Sequence, residues 1–177
     1  LMKHISFVSQ DNFLFNISIK ENIRMGNPCA TDEEVLAAAK AARCDEFIRK
    51  MEYGYDTLVG DAGGKLSGGE RQRITIARAI LKPADVVILD EASAYADPEN
   101  EVYIEEAINE LVKDKTLIVV AHRLETIENS DKIVVVDQGK IVAEGTQSEL
   151  LKNCALYKRL WNETILTSER KRGDCNA

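Results

Sequence analysis

Two consecutive carboxylates, Asp90 and Glu91, close the apolar run Val86–Leu89. In an open α/β sheet, ligands bind outside the carboxyl ends of the strands. A buried strand ending in two acids could therefore hold a divalent cation with the first and orient an attacking water with the second. Many strands also end in a solvated acidic turn, and the pair alone fits either reading. A second candidate is Leu66-Ser67-Gly68-Gly69-Glu70. Ser67 and Glu70 have the spacing of a capping box, which marks a helix start. The two glycines strip side chains from the positive end of that helix and leave bare amides, the make-up of an anion site. Ser67 adds a hydroxyl donor, and Arg71 and Arg73 add positive charge. A plain cap and a phosphate site both remain open on these residues alone.

The elements that must carry these groups can be read from periodicity. Ile5–Ser9 reads as a strand, and Asn27-Pro28 as a turn. Thr31 and Glu34 form a capping box that opens a helix over about 32–42, with Val35, Ala38, Ala39 and Ala42 on one face. A short helix is predicted near 45–51, and a loop at Gly60–Gly64. The helix over about 70–81 has Ile74, Ala77, Ile80 and Leu81 as its apolar stripe and stops at Pro83. Val86–Leu89 and Thr116–Ala121 are continuous apolar runs, as expected of parallel strands buried on both faces. The helix between them has Asp97 as N-cap, Pro98 at its first position, and Ile104, Ala107, Ile108 and Leu111 inward. Ile133–Val136 is a further strand, and Asp137–Lys140 a hairpin turn into Ile141–Ala143. Thr146 and Glu149 form a third capping box, opening the last helices through Trp161. This alternation means an α/β fold with a mainly parallel sheet.

Composition narrows the class. The 177 residues suit one domain, and a net charge of −7 disfavours a nucleic-acid surface. Glu169–Arg172, the one dense basic run, reads as a solvated tail. The four cysteines have no zinc-ligand spacing and, with only two histidines, read as reduced thiols of a cytosolic protein. No apolar run approaches the ~20 residues of a membrane span, and no signal-peptide pattern opens the chain.

Taken together, the motifs resemble those of ATP-binding-cassette (ABC) proteins. Leu66–Arg73 is similar to the family's signature motif, and Val86–Glu91 to its Walker B strand with the catalytic glutamate. Val8-Ser9-Gln10-Asp11 resembles the Q-loop, Ala121-His122-Arg123-Leu124 the H-loop, and Asp97 falls at the D-loop aspartate. Thr57–Gly63 resembles the coupling segment of exporters. These occur in family order over about residues 5–162. Ala92 after the glutamate, the Ala-His-Arg form, and the stretch Asn12–Ile23 point to the exporter branch rather than to importers or to soluble ABC ATPases.

The resemblance implies a P-loop NTPase (RecA-like) core plus an α-helical subdomain. Residues 1–12 would belong to the core up to the Q-loop, 13–82 to the helical subdomain, 83–165 to the core again, and 166–177 to a disordered tail. It implies Glu91 as general base, and Asp90 and Gln10 as Mg²⁺ ligands, largely through water. His122 would contact the γ-phosphate of ATP. Ser67, Gly68, Gly69 and Glu70 would meet ATP held by a second nucleotide-binding domain, with Asp97 shaping that interface. The partners implied are that second domain, in a head-to-tail pair, and a transmembrane domain at the cytoplasmic face of a membrane.

Some residues depart from the family pattern. No Gly-x-x-x-x-Gly-Lys-Ser/Thr occurs in the 177 residues, nor does the adenine-stacking aromatic. The N-terminal β part and phosphate loop are thus expected to be missing, the chain alone to bind ATP weakly or not at all, and strand edges at Thr116–Ala121 and Ile133–Val136 to lose a neighbour. A non-catalytic product that lends only its signature face to a partner is the alternative. Ala94 replaces the common D-loop serine, and Asp61 the usual glutamate of the coupling segment.

Overall fold

Continuous β-branched runs and capped amphipathic stretches alternate along the chain. The structure, a computed structural model that describes residues 2–9, 11–90, 98–121 and 124–173, turns them into an α/β arrangement of two compact units, Leu1–Val120 and Ala121–Ala177.

In the first unit, strands β1 (Ile5–Val8), β2 (Val86–Asp90) and β3 (Thr116–Val120) form a parallel sheet in the order β1-β2-β3. Leu89 stands beside Val8, and Asp90 beside Val120. Four helices lie between β1 and β2 in sequence: α1 (Ile19–Arg24), α2 (Asp32–Ala41), α3 (Asp45–Ile48) and α4 (Gly68–Leu81). A fifth, α5 (Pro98–Val112), joins β2 to β3. Helix α4 packs against α1, α2, α5 and β1. It is accordingly buried on most of its circumference, through Ile74, Ile76, Ala77 and Ala79 and also through Gln72, Arg73 and Thr75. Its core continues into Val8, Val87, Leu89, Ile104, Ala107 and Leu111.

Three expectations change. The signature helix starts at Gly68, because Ser67 is its N-cap and both glycines already have helical geometry. Helix α3 ends at Ile48 rather than near Met51. Strand β3, expected to be buried on both faces, is exposed along all five residues, with Leu117, Ile118, Val119 and Val120 between 38 and 49 % accessible. A continuous apolar run records what a strand can bury, not whether neighbours cover it. β3 is the edge of its sheet, and no strand pairs with its second side among the described residues.

In the second unit, β4 (Ile133–Asp137) and β5 (Lys140–Gly145) form an antiparallel hairpin. Gln138 and Gly139 both have positive φ, 48° and 76°, the geometry of a two-residue hairpin turn whose twist matches the strands. Helices α6 (Gln147–Asn153) and α7 (Ala155–Gly173) follow. Ile133, Val135, Leu150 and Tyr157 make a separate small core. Helix α7 runs to Gly173.

Candidate functional site

The signature segment is built as a helix N-terminus. Ser67 has extended backbone (φ −65°, ψ 163°), its Oγ accepts from Glu70 N–H at 3.2 Å, and its N–H donates to Glu70 Oε2 at 2.7 Å. This closes the capping box reciprocally. The Ser67 hydroxyl is used as an acceptor, so its own proton stays available for an outside oxygen. Ser67 and Gly68 are exposed, while Gly69 is buried. The first amides of a helix have no intrahelical acceptor and point outward along the axis.

The two glycines have different physical grounds. A Cβ on Gly68 would meet nothing closer than Arg71 Nη2 at 4.0 Å. A Cβ on Gly69 would stand 2.7 to 2.9 Å from the Asn100 side chain on α5. Gly69 thus lets α4 and α5 approach, and Gly68 leaves open space.

Arg71 and Arg73 are both engaged inside the protein. Arg71 Nη1 donates to Leu66 O at 2.7 Å. Arg73 is buried, donates to Arg43 O and to Asn100 Oδ1, both at 3.0 Å, and lies 4.9 Å from the Phe47 ring centroid and 5.2 Å from that of Tyr103. It ties the signature helix to α3 and α5. Neither Asn100 nor this tie was legible in the sequence, since the partners lie 27 and 30 residues away.

Asp90 ends β2, the middle strand of the sheet. Gln10, Glu91, Asp97 and His122 lie outside the described residues. Among the described residues no group of three or more His, Cys, Asp or Glu comes together to hold a metal ion. Of the thiols, Cys44 is pushed well above its ordinary pKa by burial, so it stays protonated and inert.

A second surface is assembled from the 13–19 stretch and from Thr57–Gly63, which resembles the coupling segment of exporters. Ile19 N–H donates to Thr57 O at 3.0 Å, Val59 N–H to Ile17 O at 3.3 Å, and Ser18 and Leu58 form an antiparallel bridge. Asn16 Nδ2 donates to Asp61 Oδ1 at 3.0 Å. The positive φ of Gly60 and Gly63, 79° and 77°, lets the chain turn back toward α4. The pairing leaves Phe13 (54 %), Phe15 (46 %) and Leu58 (55 %) exposed, the two phenylalanine rings edge to face at 5.0 Å. No helix among the described residues is long and apolar enough to cross a membrane.

The ABC transporter family model matches residues 1–94. The chain is 47 % identical over 168 residues to an uncharacterized ABC transporter ATP-binding protein of Sinorhizobium fredii, covering 95 % of this chain and 29 % of the relative. It is 49 % identical over 162 residues to a putative multidrug export ATP-binding/permease protein of Staphylococcus aureus, covering 92 % and 28 %. Among solved structures it is similar to a bacterial Atm1-family ABC exporter with ATP bound, with TM-score 0.81 and 41 % identity over 91 % of this chain and 28 % of that one. The chain therefore spans less than a third of the length of the relatives it matches.

Proposed function

Because this chain belongs to the ABC transporter family, we propose that it acts in ATP-driven export across a membrane, as part of an ATP-binding domain that closes head to tail on a second such domain. The observation that carries this reading is the signature helix itself. An exposed, hydroxyl-led N-terminus belongs to the same unit as a parallel sheet whose middle strand ends in Asp90.

In this reading Ser67 Oγ–H and the amides of Gly68 and Gly69 donate to the terminal phosphate of ATP held by the other domain, and Glu70 keeps the cap in shape. Glu91 takes the proton of the attacking water, His122 and Gln10 contact the γ-phosphate end, and Asp97 lies at the interface of the pair. A carboxylate at the end of the middle strand fits Mg²⁺, which keeps most of its waters and binds one or two carboxylates plus phosphate oxygens. Asp90 would hold the ion, with Gln10 beside it. When bound, the ion offsets charge on the phosphates.

The exposed face of Phe13, Phe15 and Leu58 would meet the membrane part of the transporter on the cytoplasmic side. Aromatic side chains in a half-exposed cluster suit a docking surface. Closure on ATP at one end and this contact at the other would convert nucleotide binding into motion.

The test is calorimetry of Mg-ATP with the 177-residue chain, beside turnover by the transporter that carries it. The chain alone is expected to show no binding, because no phosphate loop lies within it. Turnover is expected to fall about 10²- to 10⁴-fold on Glu91→Gln, the contribution of a general base. Unchanged turnover would remove Glu91 from that role, and tight binding by the chain alone would mean that another segment cradles the phosphates.

A further inference from the structure

Asn22 on α1 is fully buried, and both ends of its carboxamide are used. Oδ1 accepts from Phe15 N–H at 3.0 Å, and Nδ2 donates to Phe15 O at 2.9 Å, to Ser18 O at 3.1 Å and to Ile17 O at 3.4 Å. Arg78, near the end of α4, reaches the same residue. Its Nε donates to Asn22 O at 2.9 Å, its Nη2 to Asn22 Oδ1 at 3.1 Å and its Nη1 to Phe13 O at 3.4 Å. The backbones meet as closely: a Cβ on Gly26 would stand 2.0 Å from Arg78 O.

We propose that Arg78 and Asn22 are positioning residues that make α4 and the 13–17 loop one mechanical body, so that movement of the signature end at Ser67 is delivered to Phe13 and Phe15. The proposal rests on reading that loop as the face toward the membrane part. Ser67 and Arg78 stand at opposite ends of one continuous helix, about 16 Å apart at 1.5 Å per residue. The 13–17 segment has no regular structure of its own. Leu14 seats it in the core and the 57–61 segment pairs with its far end, while Asn22 and Arg78 hold the backbone of Phe13 and Phe15 between them. Burial lowers the Arg78 pKa from its ordinary value, but a guanidinium stays charged and keeps its fork of donors. A lysine at the same place would keep the charge and lose the fork that spans Asn22 O, Asn22 Oδ1 and Phe13 O.

The experiment is hydrogen exchange on the transporter that carries this chain, with and without Mg-ATP plus vanadate. In the parent, trapping is expected to slow exchange in both 66–70 and 13–17. In Arg78→Lys the response of 66–70 is expected to persist, while that of 13–17 falls at least about fivefold, the lower end of ordinary coupling between sites. A merely structural role would raise exchange in 13–17 equally in both states and leave its response to ATP intact, which overturns the proposal. Should Arg78→Lys not assemble, Arg78→Gln is read in the same way. If 13–17 of the parent neither responds to trapping nor gains protection from the membrane part, the docking reading itself fails, and the proposal falls with it. If 13–17 gains that protection but its response survives in Arg78→Lys, only the positioning role is overturned.

Discussion

At the scale of single residues, the two signature glycines separate stability from function. Gly69 faces Asn100 so closely that an added methyl must displace that side chain or the helix carrying it. Gly69→Ala is therefore expected to cost about 1–3 kcal/mol, the usual range for overpacking. Gly68 has open space above it, so Gly68→Ala is expected to change stability by no more than about 0.5 kcal/mol. The same methyl would stand over the amides offered to the phosphate, and turnover by the assembled transporter should drop by at least about tenfold, roughly 1.4 kcal/mol of transition-state stabilisation. Urea unfolding of the chain and turnover of the transporter check the two halves. Equal effects of both substitutions on stability would show that the contact with Asn100 does not set the packing. The sequence displayed two glycines in a cap and no difference between them. The difference is made by α5, which arrives at the site only when the chain is folded.

At the scale of elements, three capping boxes, Thr31 with Glu34, Ser67 with Glu70 and Thr146 with Glu149, are chemically alike and closed by the same pair of bonds. They provide a matched comparison. Thr31→Ala and Ser67→Ala should each cost about 1 kcal/mol of stability, the usual worth of an N-cap. Only Ser67→Ala should also slow ATP turnover, because only that hydroxyl is proposed to face a phosphate. Thermal unfolding of the chain and turnover of the transporter distinguish the two, and a loss of turnover with Thr31→Ala would mean that cap stability alone explains the effect. These boxes were legible because a cap is contained within four consecutive residues. So was the inner face of α5, where Ile104, Ala107 and Leu111 are buried as their spacing requires. The tie from Arg73 to Arg43 and Asn100, and the pairing of Ile17–Ile19 with Thr57–Val59, were not. Both join positions some tens of residues apart, and nothing local in either segment marks its partner. The burial of Arg73 against Phe47 and Tyr103 was hidden for the same reason, since it depends on the folded neighbours.

At the scale of the whole molecule, β3 sets the behaviour of the chain in solution. Its residues are β-branched or leucine and exposed, and its second edge has no partner among the described residues. A strand of this kind offers unpaired amides and carbonyls together with apolar side chains, the arrangement through which sheets extend from one molecule to another. The 177-residue chain on its own is therefore expected to form dimers or larger species through β3. Ile118 and Val119 stand on alternate faces of that strand, so a lysine at each would charge both sides of the edge. Both side chains are more than a third accessible, at 49 and 38 %, so Ile118→Lys with Val119→Lys should leave the first unit folded while returning the chain to a monomer. Light scattering after size exclusion measures the mass, and circular dichroism checks the fold. A parent chain that stays monomeric over a wide concentration range would show that β3 is not sticky. Association that survives the double substitution would move the contact elsewhere, with the exposed Val136 and Ile141 of the hairpin the next candidates.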